Sequence, residues 1–282
     1  MTAASPTAPP LAYYGGKTRI AAKIASLLPG HDHYVEPFAG SLAVLLAKAP
    51  SRMETVNDLD GQLMAFWRVL RDRPDELARV CALTPHSRAD YEAAQGVDLD
   101  DVDDLERARL VWLQIAQGRG GTLRNTGWRY YVDPAGSNSG MPHYIEAYVD
   151  RMAAAAERLH RVSLEHRPWQ DMIKAYGQHP RCCLYVDPPY LGSTRSRGGG
   201  GYRLEMRDPD THLTLLWALT NCAASVLVSG YSSELYETAL QGWSRVEIPT
   251  MTGQAGSNHA RTEVIWSNRP INDQPSLFEE HN

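Results

Sequence analysis

A chain of 282 residues, 43% hydrophobic and 22% charged, lies inside the composition range of globular proteins and outside that of disordered, collagen-like or coiled-coil chains. Its length suits one large domain or a core with an inserted module, and either can bury a substantial apolar core. The formal net charge is −5, but residues 90–106 carry the whole deficit: Asp90, Glu92, Asp98, Asp100, Asp101, Asp103, Asp104 and Glu106 stand there without a Lys or Arg, so the remainder is +3.

Two stretches are basic instead. Arg119, Arg124 and Arg129 lie in a Gly-rich segment free of acids, and Arg195, Arg197, Arg203 and Arg207 surround Gly198 to Gly201 with only Glu205 opposing. Arginine loops of this kind contact phosphates, and they also occur as plain solvated surface. No run approaches the ~18 apolar residues of a membrane span, and the opening Met1 to Pro10 is small, polar and Pro-rich, so a cytoplasmic protein is expected. Cys81, Cys182, Cys183 and Cys222 form no metal-ligand spacing, and reduced thiols without zinc are expected.

In chain order, 17–28 has helical spacing and stops at Pro29-Gly30. A short strand at His33 to Glu36 runs into Pro37-Phe38-Ala39-Gly40-Ser41, and LAVLLAK then reads as a helix. Met53 to Asn57 reads as a second strand ending at Asp58, with Gln62 to Leu70 helical beyond it. From Pro74 to His160 the pattern is helical only (Pro74 to Cys81, Leu105 to Gln117, His143 to Leu159), divided by the acidic run and by the Gly-, Asn- and Pro-rich segment 118–142. Alternation then resumes: strand Val162 to Glu165, helix Pro168 to Tyr176, strand Cys182 to Asp187, and a long Gly/Arg loop. Helix Asp208 to Cys222, strand Ser225 to Ser229, helix Ser233 to Leu240 and strands Ser244 to Ile248 and Thr262 to Ser267 complete the pattern. The order predicts an α/β sheet core interrupted by a helical insertion: core 11–73, insertion 74–161, core 162–270 and a polar tail 271–282.

Ligands of open α/β sheets sit beyond the carboxyl ends of the strands, where a first-turn glycine lets backbone approach closely. Glu36-Pro37-Phe38-Ala39-Gly40 is such a turn, and Asp58 ends the next strand, where an acid accepts hydrogen bonds from ribose hydroxyls. Glycine plus acid points to an adenosine-containing ligand, although neither GxGxxG nor GxxxxGK[ST] is present. The most specific feature is Asp187-Pro188-Pro189-Tyr190 after the apolar CCLYV. Two prolines make a stiff turn with free carbonyls, and Pro188 biases Asp187 towards an extended backbone.

Together, Glu36 to Gly40, Asp58 and Asp187 to Tyr190, with an insertion between the last two, resemble the Dam-like (D12 class) DNA adenine-N6 methyltransferases. Tyr13-Tyr14-Gly15-Gly16-Lys17 is similar to that family's first motif. Likeness extends to Arg124-Asn125-Thr126-Gly127 with Pro134, to Val228-Ser229-Gly230-Tyr231 and to Glu263 to Asn268, covering about residues 11–270. Leu42 stands where many members carry a second glycine, which predicts a differently shaped turn. The acid often found before the DPPY strand is not evident; Pro168 takes its place, with Asp171 three residues on.

The resemblance implies a doubly wound, mixed but mostly parallel sheet of the S-adenosylmethionine-dependent methyltransferase type, and methyl transfer from S-adenosylmethionine to N6 of an adenine flipped out of a specific duplex DNA sequence. By this match Asp187, Pro188 and Tyr190 are the catalytic candidates. Tyr13, Lys17, Glu36, Phe38, Gly40, Asp58 and Asp187 form the cofactor site, with Lys17 meeting the methionine carboxylate and Asp58 the ribose. Arg119, Arg124, Asn125, Arg129, Arg195 and Arg197 are the DNA-contact candidates, and Trp128, Tyr130 and Tyr131 could wedge the gap in the base stack. No metal is implied. The tail Gln274-Pro275-Ser276-Leu277-Phe278 resembles the peptide by which bacterial DNA enzymes hold the sliding clamp, through Gln274, Leu277 and Phe278. The alternatives are the same fold acting on another amine (RNA adenine, cytosine N4 or a protein amide), or a catalytically silent DNA-binding relative.

Overall fold

The computed structural model describes residues 6–132, 140–194, 201–254 and 257–271. Seven strands form one sheet: β1 (His33–Glu36), β2 (Met53–Asn57), β3 (Ser163–Glu165), β4 (Cys182–Val186), β5 (Ser225–Gly230), β6 (Ser244–Gln254) and β7 (Ser257–Ser267). Their order across the sheet is β3-β2-β1-β4-β5-β7-β6; the first five are mutually parallel, and β7 runs antiparallel to both β5 and β6. This is the mixed, mostly parallel doubly wound sheet that the resemblance implied.

Strands β4 and β5 are buried along their whole length because both faces are covered. Successive side chains alternate between two cores: Tyr34, Cys183, Tyr185, Leu227 and Ile265 enter one, while Val35, Leu184, Val186, Val226 and Val228 enter the other. The first core holds α1 (Ala21–Ser26), α2 (Ala43–Ala47) and α3 (Gly61–Asp72). It continues through α4 (Pro74–Ala82), α5 (Arg88–Gln95), α6 (Asp104–Gln117), α7 (Met141–Asp150) and α8 (Met152–Leu159). The helical stretch therefore grows out of one sheet face by packing on α3. The second core is closed by α9 (Trp169–Tyr176), α10 (Pro209–Thr220) and α11 (Glu234–Ala239).

Three local expectations are corrected. The acidic run does not merely separate helices: it contributes α5, capped by Ser87 and burying Tyr91 and Ala94, and Asp103 accepts the Glu106 N–H to cap α6. Acids at helix starts complement the dipole, so a dense negative stretch also serves as helix ends. The single helix expected over 143–159 is two, broken at Arg151, whose N–H turns to Tyr148 O and whose guanidinium reaches Pro9 O. The last two strands extend well beyond the expected segments because they pair with each other as one long hairpin.

Among the described residues no helix is long and apolar enough to cross a membrane.

Candidate active site

The strand order reverses between β1 and β4: the chain leaves β1 for β2 on one side, while β4 lies on the other. That crevice is where doubly wound sheets bind ligands. A cavity of about 220 Å³ opens there, and every cofactor candidate lines it: Tyr13, Lys17, Glu36, Phe38, Gly40, Asp58 and Asp187.

Its floor is the turn after β1. Gly40 adopts φ 48°, and its N–H donates to Asp58 Oδ2 at 3.0 Å while its carbonyl accepts from Trp67 Nε1 at 3.1 Å. Asp58 Oδ1 accepts the Asp60 N–H at 2.9 Å. Burial raises the Asp58 carboxyl to about 6, against the opposing pull of these two backbone donors. Glu36 is deeper: its Oε1 accepts Tyr34 OH at 2.6 Å and Leu45 N–H at 3.0 Å, and burial raises it to about 8 despite both bonds.

Leu42 takes its place in the turn with an unusual backbone for its residue type. Leu42 adopts φ 56°, ψ 26°, the left-handed conformation a glycine would take, and is alone among described non-glycine residues in having positive φ. Its side chain is fully buried in the first core. Packing thus holds a conformation that costs an L residue roughly 1–2 kcal/mol.

The roof comes from two segments remote in sequence. Tyr202 packs edge-on against Tyr14 at 5.1 Å and tilts against Tyr13 at 6.3 Å. Gly15 adopts φ 72°, which favours glycine, and a Cβ there would lie 2.1 Å from Tyr202 OH and push that ring aside. Arg203 clasps Asp60 with Nε and Nη2 at 2.8 and 2.7 Å; Asp60 also caps α3. Arg203, which the sequence placed in a basic loop, is therefore spent on fastening the roof to the start of α3.

At the carboxyl end of β4, Asp187 is 16% exposed and turned into the cavity. Lys17 Nζ donates to Oδ1 and Oδ2, both at 2.8 Å, and to Gly15 O at 3.0 Å. Ser229 Oγ donates to Asp187 Oδ1 at 2.8 Å and stands 3.1 Å from Tyr185 OH. Tyr190 is buried, donates to Glu263 Oε1 and meets the Tyr231 ring edge-on at 4.7 Å. Burial opposes the charged form of Lys17, yet Asp187 and Glu263 beside it outweigh that and raise it. Burial raises Glu263, which Lys17 counteracts. Pro188 is buried and Pro189 faces the cavity. Pro168 and Asp171 are exposed, and Trp169 lines the cavity instead.

Ser229, Glu263, Asp60 and Tyr202 had no assigned role in the sequence reading. The first two lie inside quoted motifs, Val228 to Tyr231 and Glu263 to Asn268, and that was the signal available for them.

The arginine segment lies beside this site. Tyr14 N–H donates to Gly121 O at 2.7 Å, and Thr122 Oγ1 to Gly201 O. Arg124 and Asn125 are exposed. Arg119 lies over Tyr130, with its centre 5.8 Å from the ring, and Arg129 lies 5.4 Å from both Tyr131 and Tyr144. Trp128 is committed to packing: it stacks on His86 at 4.3 Å and donates to Gln117 at 3.3 Å. Tyr130 and Tyr131, 43% and 39% exposed, are the aromatic residues this segment leaves open. Arg195, Arg197, Pro134, Gln274, Leu277 and Phe278 lie outside the described residues. Among those described, no group of three or more His, Cys, Asp or Glu could hold a metal ion.

Over 265 residues the chain is 23% identical to the retron Ec67 DNA adenine methylase of Escherichia coli, spanning 90% of this chain and 89% of that protein. It is similar to the rRNA methyltransferase aviRa from Streptomyces viridochromogenes (TM-score 0.39, 16% identity, 89% of this chain and 84% of that one). It is also similar to a putative RNA methyltransferase from Pyrococcus horikoshii (TM-score 0.36, 8% identity, 89% and 79%). Residues 13–116, from the aromatic-Gly-Gly-Lys segment through the Glu36 turn and Asp58, match the family of D12 class N6 adenine-specific DNA methyltransferases, and the resemblance read from the motifs is borne out.

Proposed function

We propose that the protein methylates adenine N6 in a specific sequence of duplex DNA, using S-adenosylmethionine, with the target base turned out of the helix. The observation that carries this reading is the meeting of Asp187 with Gly40 and Asp58 in one cavity at the switch point of the sheet. An acid at the acceptor side can take amine hydrogens, and an acid at the ribose side can hold an adenosyl donor.

The cavity suits that donor. Tyr13, Phe38, Leu59 and Tyr202 supply flat or apolar walls, Asp58 offers a carboxylate to ribose hydroxyls, and Glu36 sets a buried acceptor on the floor. When bound, S-adenosylmethionine supplies a methyl on a sulfonium that departs as a neutral thioether. The chain does the remainder. The adenine amine is a poor nucleophile because its lone pair is delocalised into the ring. Asp187 and the Pro188 carbonyl accept its two hydrogens, localise the lone pair and hold it in line. Asp187 takes the proton that the nitrogen must lose. Fixed acceptors where positive charge develops stabilise the transition state, and orientation adds to this. Tyr190 offers a face to the base.

Turning a base out costs a few kcal/mol. In this reading helices 74–161 form the target-recognition part, with Arg119, Arg124, Asn125 and Arg129 on phosphates or base edges. Arg195 and Arg197 join them, and the tail Gln274, Leu277 and Phe278 remains a candidate clamp-binding peptide.

Purified protein incubated with methyl-labelled S-adenosylmethionine and mixed-sequence DNA tests the function. Label recovered as N6-methyladenine supports it, whereas label in RNA or protein favours another amine acceptor. DNA retention without label favours a silent binder. Asp187→Ala is expected to lose transfer by at least about 10³-fold with donor binding nearly unchanged.

A further inference from the structure

The amine-accepting corner is already filled by the protein's own cation. Lys17 Nζ sits 2.8 Å from both oxygens of Asp187 and 4.8 Å from the centre of the Tyr190 ring. It thus stands between the carboxylate that would take the amine hydrogens and the face on which the base would stack. A base and the ammonium cannot share that space. Ser229, backed by Tyr185, also holds Asp187 Oδ1, so the carboxylate keeps one partner when Lys17 changes place.

A second seat lies next door. Glu263 Oε1 is 3.7 Å from Lys17 Nζ, beyond hydrogen-bond range but within ion-pair range, and Tyr190 OH fixes that carboxylate. A lysine has three donors on a flexible four-carbon stem, and a rotation near its end carries the charge from one acid to the other without leaving it unpaired. Losing both partners in a buried site would be costly.

We infer that Lys17 is a place-holder for the acceptor amine and that Glu263 is the positioning residue onto which it withdraws. Bound cofactor would drive the exchange: an added carboxylate in the cavity that Lys17 lines would compete with Asp187 for the ammonium, which Glu263 keeps paired as it swings away. The acceptor corner is then vacated only in the cofactor complex, so cofactor must precede the flipped base. This rests on the function proposed above and adds to it a binding order and a role for Glu263.

The test uses full-length protein and duplex DNA carrying 2-aminopurine at the methylated position, located by mapping the modification. Its fluorescence rises when the base leaves the stack. Wild-type protein alone is expected to give little rise, and added S-adenosylhomocysteine a rise of about fivefold or more. Lys17→Met should give the full rise without cofactor. Glu263→Gln should bind S-adenosylhomocysteine within about threefold of wild type yet lose most of the cofactor-dependent rise. Equal base release by wild type with and without cofactor overturns the inference, as does retained cofactor dependence in Lys17→Met. Should that variant fail to fold, the wild-type and Glu263→Gln comparisons decide. Absence of N6-methyladenine from wild-type reactions would instead remove the function on which the inference rests.

Discussion

The Gly40 N–H donates to Asp58 Oδ2 at 3.0 Å, binding the turn after one strand to the acid that ends the next. Floor and ribose-side acid are thus one rigid unit, and the ionisation of Asp58 controls what that unit can hold. Burial raises Asp58 to about 6, so its carboxylate is present above that value and lost below it. Donor affinity is expected to be flat above about pH 7 and to fall nearly tenfold per pH unit well below pH 6. Asp58→Asn should bind more weakly at pH 7.5 and show no such acid limb; isothermal titration from pH 5 to 8 measures both.

Glu36 gives a stability counterpart. Its folded value, about 8, lies above the ordinary 4.5, so between these values the folded state binds more protons than the unfolded. The contribution of Glu36 is therefore fully present below about pH 4.5 and lost as pH rises through 8, on the order of a few kcal/mol in all. Glu36→Gln keeps an acceptor for Tyr34 and Leu45 and removes the titration. Urea melts from pH 6 to 9 should show a shallower decline in the variant than in wild type; parallel declines would contradict the assignment.

Leu42 offers a test of backbone strain. At an ordinary helical position Ala is about 1 kcal/mol better than Gly. With φ at 56°, the order should reverse: Leu42→Gly more stable than Leu42→Ala by about 1 kcal/mol, both below wild type because a fully buried leucine is lost. Equilibrium denaturation of the three proteins decides.

Arg203 and Asp60 hold the roof. Arg203→Ala removes a bidentate pair whose arginine is 42% exposed, worth about 1 kcal/mol, and should weaken donor binding about fivefold chiefly through faster release. Arg203→Lys should not restore it, since an ammonium cannot match the two-point grip. Stopped-flow displacement of bound S-adenosylhomocysteine gives the rate.

Much of this protein was legible in its amino-acid order. Strands His33 to Glu36 and Met53 to Asn57 are where their apolar runs and turn residues put them, and the Asp187 corner follows an apolar strand that only a two-face-covered sheet accommodates. These features are local: propensity, periodicity and turn chemistry act within a few residues. The partners of those motifs were not legible. Helix α5 escaped notice because its apolar face is two residues wide and its acids look like a solvated loop. The left-handed backbone of Leu42 was not legible because sequence gives residue type, while the packing of a neighbouring core dictates the backbone angle.

Which side chain meets which was decided by tertiary structure alone. Lys17 lies 170 residues from Asp187 and Arg203 lies 143 from Asp60, and no periodicity links such positions. Charges buried away from water take whatever opposite charge the fold brings within reach. The sequence by itself therefore determined the strands, the turns and the acids at their ends. Only the folded sheet, by placing β4 beside β1, decided that those acids share a cavity and that Lys17 pairs there with Asp187.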